Sequence, residues 1–229
     1  NLAATDQMLD SPTNNFCTWN PLSDEAGGTI TSSEGNLKAS FSSGGAGAWS
    51  HTVGSIGQSS GKFYYEVLKD SYNRVMIGIC SESVNLNSLY LYSATGTVLW
   101  YGRNGNKYID GSLSSYGSGS NSADIIGVAV DKDSNTMEVF INNSSQGSID
   151  ISSANCASGI VFPFIEDDQG TSHSSIANFG QDSSFAGNKT AQGNQDSNSI
   201  GDFYYAPPTG YLALCTQNLP EPTVVPSEH

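Results

Sequence analysis

The densest group of chemically capable side chains in the sequence is the acidic run Glu166, Asp167 and Asp168. Carboxylate oxygens are the ligands that Ca²⁺ prefers, and Asp70 or Asp110 would add to such a site if the fold brought either of them close. A solvated acidic loop is the simpler interpretation, and it is the one that we favour.

A second acidic pattern, Asp131-x-Asp133-x-Asn135, begins like a calcium-binding loop. The pattern then fails, because Thr136 stands where such a loop needs glycine and Asn142 where it needs glutamate. Asp and Asn also hydrogen-bond their own backbone in tight turns. The segment therefore predicts a hairpin turn without a metal. We expect no cofactor, and Ca²⁺ is the alternative that the acidic residues leave open.

Catalytic patterns are weak. Glycosidases on sandwich folds use a pair of carboxylates flanking the sugar bond, whereas Glu66 and Glu138 each stand alone on a predicted strand and are expected to face solvent. His51 and His173 could in principle join a serine in a triad, but the chain has no G-x-S-x-G elbow. We predict that the protein is not an enzyme.

Tyrosines in predicted loops are candidates for ligand contacts. Tyr90, Tyr92 and Tyr116 lie in polar or Ser/Gly-rich segments, where tyrosine rings could stack on sugars as they do in lectin-like sandwiches. Packing of these loops back onto a sheet is the alternative, and the sequence leaves both open.

The elements that must position these residues are strands. Residues 124–151 alternate in polarity, with Ile126, Val128 and Val130 on one face of the first run and Met137, Val139 and Ile141 on one face of the return. A period of two residues is the strand signature. Pro163 predicts that its strand lies at an edge or bends. With little or no helix indicated, the sequence predicts an all-β, antiparallel β-sandwich.

Composition narrows the classes of function. The 229 residues suit one large all-β domain. The net charge of −14 excludes a basic surface for nucleic acid and opposes docking on anionic membranes. No apolar run approaches the ~18 residues of a membrane-spanning helix. The abundance of neutral polar residues is typical of extracellular or virion proteins.

The four cysteines, Cys17, Cys80, Cys156 and Cys215, show no zinc-binding spacing. Cys80 ends an apolar strand and is expected to be buried. Cys17 and Cys215 become neighbours if the first and last strands pair, so a disulfide and two free thiols both remain open.

Seven short motifs follow one another in the order found in SPRY domains. They are residues 61–67 (GKFYYEV), 76–80 (MIGIC), 124–131 (DIIGVAVD), 139–142 (VFIN), 146–147 (QG), 162–164 (FPF) and 178–180 (NFG). Over residues 61–181 the chain thus resembles a SPRY domain, which implies a concanavalin-like jelly roll of two antiparallel sheets. The family usually has Asn-Gly after the second strand of the hairpin. Here Asn142-Asn143-Ser144-Ser145 predicts a longer or differently shaped turn.

The same resemblance implies protein recognition without catalysis, through loops at one end of the sandwich. Carried over by position, these loops are residues 57–60 with Ser59, the region of Tyr108, and Glu166 to His173. Tyr108 is our first choice for a binding residue, since tyrosine offers a large contact area at little entropic cost. The alternative is that Tyr108 only covers an edge of the core.

The flanking segments 10–17 and 207–220 resemble segments around SPRY-like domains of bacteriophage structural proteins. We therefore expect a recognition module of a phage virion protein (tail fibre, head fibre or capsid decoration), located in the extracellular particle. Its partners would be a host-surface protein or another virion protein. A homo-oligomer is one open arrangement of the full-length protein, since virion fibres are often trimers. Alternatives are a lectin-like module that binds host-surface glycans and a purely structural spacer.

The expected domain organisation is a single sandwich flanked by two extensions. Its parts are an arm at 1–14, the sandwich at 15–218 with its core motif at 61–181, a polar excursion at 181–202, a closing segment at 203–218, and a proline-rich linker at 219–229 leading to a further domain.

Overall fold

The computed structural model describes residues 13–23, 29–42, 49–70, 74–167 and 172–220, and within them fourteen strands form two sheets packed face to face. The eight-stranded sheet has the order β1-β2-β13-β4-β9-β10-β11, with β14 added parallel to β4 and every other pair antiparallel. The six-stranded sheet has the order β3-β12-β5-β6-β7-β8. The prediction of an all-β antiparallel sandwich is confirmed.

The strands of the eight-stranded sheet are β1 (Thr29–Ser33), β2 (Lys38–Ser42), β4 (Lys62–Lys69), β9 (Ile125–Asp131), β10 (Thr136–Ile141), β11 (Ser144–Asp150), β13 (His173–Asn178) and β14 (Leu212–Ala213). Those of the six-stranded sheet are β3 (Ser50–Val53), β5 (Val75–Ser81), β6 (Thr97–Tyr101), β7 (Lys107–Ile109), β8 (Ser112–Ser114) and β12 (Val161–Asp167). Among the described residues, two short 3-10 helices occupy Leu91–Ser93 and Thr216–Asn218. In the described ranges no helix is long and apolar enough to cross a membrane.

The core between the sheets follows the alternation of the sequence. Val128 lies opposite Val139 and Val130 opposite Met137 in the β9–β10 hairpin, and all four side chains are fully buried. Burial of each such side chain stabilises the fold by about 1.5–3 kcal/mol. The predicted hairpin is therefore central to the core.

Asp131 fixes the turn of this hairpin. Its Oδ1 accepts hydrogen bonds from the backbone N–H groups of Asp133 and Ser134, both at 3.0 Å, and its Oδ2 lies 2.9 Å from the Nζ of Lys62. Burial opposes ionisation of Asp131, but the Ser134 and Lys62 interactions outweigh it and lower the pKa to about 2. The segment is a hairpin turn, as predicted.

We expect Asp131→Ala to destabilise the protein by about 1–2 kcal/mol, because two turn amides lose their acceptor. The native pKa is depressed from 3.8, so this contribution is present above about pH 4 and is lost as pH falls through about 2. Urea denaturation across an acidic pH series would show both effects. Lys62→Ala is the control, since an exposed ion pair contributes at most ~1 kcal/mol. Equal stability of Asp131→Ala and wild type at neutral pH would contradict the assignment.

The next turn differs from expectation. β10 ends at Ile141 and β11 begins at Ser144, so Asn142 and Asn143 form a two-residue turn rather than a longer one. Both have positive φ, 47° and 66°, and asparagine tolerates this conformation better than most residues. Asn143 thus adopts the positive φ at the position where the family usually has glycine.

Pro163 lies on β12, between β3 and β5 and not at a sheet edge. The β3–β12 ladder ends at the pair Val53–Phe164, and beyond it Gly54 N–H donates to the Pro163 carbonyl at 2.8 Å. The proline therefore lies just beyond the end of the β3–β12 ladder, where its missing N–H interrupts no paired stretch of β3.

Residues 180–215, which we call the covering segment, lie over the outer face of the eight-stranded sheet. Phe203 packs against Tyr64 at 5.4 Å between ring centroids, and Phe16, Ala129, Ala213 and Cys215 complete this second layer of apolar contacts. The segment predicted as a polar excursion thus includes fully buried side chains, among them Phe185. Both faces of β4 and β9 are consequently buried.

The first and last described segments do pair. Phe16 forms an antiparallel bridge with Cys215, and Cys17 N–H donates to the Leu214 carbonyl at 2.8 Å. Because side chains alternate, Cys17 points into the core between the sheets and Cys215 into the outer layer. All four cysteines are free and buried, so of the two alternatives the structure has the free thiols.

Glu66 fastens the covering segment to the sheet. Its carboxylate accepts hydrogen bonds from Tyr204 N–H (2.9 Å), Tyr205 N–H (2.8 Å), Asn178 Nδ2 (3.1 Å) and Tyr64 Oη (3.3 Å), and the residue is fully buried. Burial raises its pKa to about 7, against the lowering effect of these donors. The expectation that Glu66 faces solvent is wrong, because the fold brings residues 203–205 over it. Glu138, on β10, is half-buried.

Candidate functional site

Five aromatic rings form a continuous patch on the outer face of the six-stranded sheet. The patch consists of Trp49, Tyr90, Tyr92, Tyr101 and Tyr108, and we call it the aromatic face. Trp49 stacks on Tyr92 at 4.7 Å between centroids and meets Tyr90 edge-on at 5.5 Å. Tyr108 contacts Tyr92 at 5.2 Å and Tyr101 at 6.4 Å. These separations are typical of stabilising aromatic pairs.

Strand pairing places two of these tyrosines. Tyr108 on β7 lies opposite Leu99 on β6 and Leu113 on β8, so the three side chains form one row on the outer face. Tyr101 lies opposite Met76 of β5 in the next row. The sheet is therefore a rigid support for this half of the aromatic face.

The other tyrosines are carried by residues 82–96, which three buried polar groups hold against the sheet. Leu91 N–H donates to Glu166 Oε1 at 2.8 Å, and Thr97 Oγ1 donates to the Leu91 carbonyl at 3.1 Å. His51 Nε2 lies 2.9 Å from the Leu86 carbonyl. Because a carbonyl can only accept, the His51 tautomer is the one with hydrogen on Nε2. Tyr90 and Tyr92 project from a segment that is thus fixed at both ends.

The charge state of His51 keeps this anchor uncharged at neutral pH. His51 is fully buried, and burial lowers its pKa to about 4, although the Leu86 carbonyl favours the protonated ring. His51 is therefore uncharged across the neutral pH range, and its hydrogen bond to Leu86 does not change there.

Exposure decides what the aromatic face can do. Tyr90 and the adjacent Leu89 are each 44% exposed and Leu113 is 55% exposed, whereas Trp49 and Tyr101 are buried beneath them. Tyr92 and Tyr108 are half-buried. An apolar surface with hydroxyl groups at its rim, on a fixed backbone, suits non-covalent recognition of another surface.

Three of the predicted site residues are brought together by the fold. Tyr90 and Tyr92, from residues 82–96, meet Tyr108, from β7, on the aromatic face. Their role in binding stays a prediction. Tyr116 is not among them: its hydroxyl donates to the Gly147 carbonyl and accepts from Val139 N–H at 3.1 Å, which ties its loop to β10 and β11.

The acidic run and His173 differ from expectation. Glu166 and Asp167 lie in β12 and His173 in β13, all buried and not in an exposed loop. His173 stacks on Phe41 at 4.7 Å, with its Nδ1 3.8 Å from Asp167 Oδ1. The two strands extend further than their sequence indicates because each pairs with neighbours on both sides. Asp168 lies outside the described residues.

The remaining candidates occupy other places. Ser59 is exposed in the loop before β4, beside a small cleft that Ile160 and Leu219 also line. Asp110 accepts hydrogen bonds from Gly96 and Asn155 N–H, and Asp70 accepts one from Ser174. In the described ranges no group of three or more His, Cys, Asp or Glu side chains is arranged to hold a metal ion.

Sequence reasoning missed Trp49 and Tyr101. A signal was present: residues 49–53 (WSHTV) and 97–101 (TVLWY) carry bulky side chains on both faces of their strands. A strand with two apolar faces implies cover on the second face, but the pattern alone does not tell which loop supplies the cover.

A search of curated proteins gives no significant match. Among solved structures, the SPRY domain of human HERC1 superimposes with a TM-score of 0.58 at 15% identity, covering 69% of this chain and 96% of that one. A human SPRY domain gives a TM-score of 0.48 at 17% identity, covering 66% and 96%.

The sequence model of one family also matches. The SPRY domain model covers residues 62–182, which is 121 of the 229 residues. SPRY domains are generally non-catalytic modules of protein–protein interaction. With more than half of its length matched by the family model and the HERC1 domain sharing its fold, the chain belongs to the SPRY domain family.

Proposed function

We propose that the aromatic face is the surface through which this SPRY domain binds a protein partner. The observation that carries the proposal is the continuous, partly exposed set of rings on a backbone fixed by the six-stranded sheet and by the anchors to His51, Glu166 and Thr97. Interface hot spots are enriched in tryptophan and tyrosine. Because the backbone is fixed before binding, little conformational entropy would be lost.

The lectin-like alternative has less support. Sugar binding of this kind requires aromatic rings that present a flat face to the sugar. The candidates for such rings are Tyr90, Tyr92 and Tyr116. Tyr116 is committed to the β10–β11 hairpin. The faces of Trp49 and Tyr92 are partly covered by each other.

The experiment that tests the proposal is a selection from a displayed library of random peptides against the wild-type domain. Each selected peptide is then measured against a variant that carries both Tyr92→Ala and Tyr108→Ala. We expect peptides that bind wild type and lose binding to the double variant. Peptides that bind both proteins equally would place the recognition surface elsewhere. If the selection yields no peptide binder and the domain binds glycans on a glycan array, the lectin-like alternative is favoured.

We further propose that the domain acts within a phage virion, where the partner is a host-surface protein or another virion protein. Support comes from the flanking segments 10–17 and 207–220, which resemble those of phage structural proteins, and from the net charge of −14 on a surface rich in neutral polar residues. Mass spectrometry of purified particles should find peptides of this chain. Peptides found only in infected-cell lysate, never in particles, would contradict a virion location. Light scattering on the full-length protein would test whether it is a homo-oligomer.

A further inference from the structure

A cleft on the eight-stranded sheet gathers three of the eight basic residues of the chain. Lys38, Lys69 and Lys189 line it together with Asp70 and Ser174, and its volume is about 220 Å³. These lysines come from β2, from β4 and from the segment that covers the sheet. In a chain with 22 acidic residues, three lysines around one cleft form a local concentration of positive charge.

The positions of two ammonium groups are fixed by one turn of the backbone. Lys69 Nζ donates to the Asn121 carbonyl at 3.1 Å, and Lys189 Nζ donates to the Ala123 carbonyl at 3.1 Å. An ammonium has three N–H groups, so each lysine keeps donors for a further acceptor. Lys69 is only 1% exposed, which makes its unused donors costly to leave without a partner.

The carboxylates near these lysines are engaged elsewhere. Asp70 Oδ2 accepts a hydrogen bond from Ser174, and Asp124 accepts bonds from Asn121 N–H and Asn142 Nδ2. Within the described residues, no carboxylate oxygen lies within 4 Å of the three ammonium groups. Even when both aspartates are counted against the three lysines, the cleft retains an excess of positive charge.

Lys69 carries its charge at neutral pH. Burial lowers its pKa to about 8, while Asp124 and Asp70 act in the opposite direction. Among the residues that the structure describes, no carboxylate contacts this buried, charged ammonium. Such an arrangement is unfavourable, and an anion bound in the cleft would relieve it.

We propose that this cleft is a second binding site, distinct from the aromatic face, which takes a compact oxyanion group: a phosphate, or a carboxylate carried by a partner molecule. The lysine ammonium is a point charge that accepts either group. The cleft has room for several water molecules, and thus for such a group and part of its carrier.

The test is a titration of the domain with inorganic phosphate, and separately with acetate. Binding is monitored through the ¹⁵N–¹H chemical shifts of the backbone amides. Sodium chloride keeps the ionic strength constant throughout. We expect saturable shifts at the amides of Lys69, Ala123 and Ser174. In the double variant Lys38→Ala/Lys189→Ala the apparent Kd should be about tenfold weaker or more, as expected when charge-assisted hydrogen bonds are lost.

A matched control separates the cleft from the overall charge of the protein. Lys62→Ala/Lys107→Ala removes the same two charges from the surface outside the cleft and should bind like wild type. Lys38→Arg/Lys189→Arg should retain binding. Phosphate shifts without acetate shifts would identify a phosphate-bearing ligand, and the reverse a carboxylate. Shifts no larger than those in chloride, or equal weakening in both double variants, would overturn the proposal while leaving that for the aromatic face intact.

Discussion

Glu66→Ala is expected to destabilise the domain by about 3–5 kcal/mol, which is the cost of leaving buried hydrogen-bond donors without their charged partner. Four donors converge on this carboxylate, two of them backbone N–H groups of the covering segment. Without it, the backbone N–H groups of Tyr204 and Tyr205 lose their acceptor on the sheet. Urea denaturation followed by tryptophan fluorescence would measure the change in the free energy of unfolding.

The controls for Glu66 come from the same sheet. Glu138→Ala removes a half-buried carboxylate on β10 and should cost no more than ~1 kcal/mol. Glu66→Gln keeps one acceptor oxygen but turns an amide toward the donors, so an intermediate loss of about 2 kcal/mol is expected. A Glu66→Ala protein within ~1 kcal/mol of wild type would show that the covering segment does not depend on this residue.

The pH dependence of stability offers an independent test of Glu66. Its native pKa of about 7 stands above the ordinary 4.5, so the native state binds the proton more tightly than the unfolded state does. The stability that this provides is present below about pH 4.5 and is lost as pH rises through 7. The change amounts to roughly 3 kcal/mol.

His51 acts in the opposite direction. Its native pKa of about 4 lies below the ordinary 6.5, so its contribution is present above pH 6.5 and is lost as pH falls through 4. Between pH 4.5 and 6.5 the two residues therefore largely cancel in the wild type. We expect Glu66→Gln to gain stability as pH rises through this window and His51→Gln to lose it. Parallel pH profiles of wild type and both variants would contradict these assignments.

The second large effect is expected on the aromatic face. Tyr108→Ala should weaken the binding of peptides selected on the wild-type domain by about thirtyfold or more, the ~2 kcal/mol that defines an interface hot spot. Tyr108 joins the ring of Tyr92 to that of Tyr101, so its removal opens a gap in the middle of the surface. Isothermal titration calorimetry would measure the affinity.

Matched variants distinguish loss of contact from loss of folding. Tyr211→Ala removes a half-buried tyrosine that packs against the other sheet and should leave peptide affinity unchanged. Tyr108→Phe keeps the ring and should retain most of the affinity if ring contact dominates. Unchanged affinity in Tyr108→Ala, with unchanged melting temperature, would show that the aromatic face does not bind these peptides.

Local pattern was sufficient to predict much of the scaffold. The β9–β10 hairpin follows from the alternation of residues 124–141 and from Asp131, whose side chain bonds only to nearby residues and Lys62. Predictions failed where a residue's surroundings come from distant sequence. Glu66 reads as a solvent-facing residue on an amphipathic strand, and its donors Tyr204 and Tyr205 are 138 and 139 residues away.

The same distinction holds for the candidate sites. From composition and motif order, the sequence by itself determined an all-β sandwich of the SPRY family and identified Tyr90, Tyr92 and Tyr108 as separate candidates. Only the tertiary structure decided that these three meet with Trp49 and Tyr101, that Glu166 is buried beneath them, and that Lys38, Lys69 and Lys189 share a cleft. The physical reason is that alternation along a strand fixes which side chains share a face, whereas the loops and strands that cover that face are chosen by long-range packing.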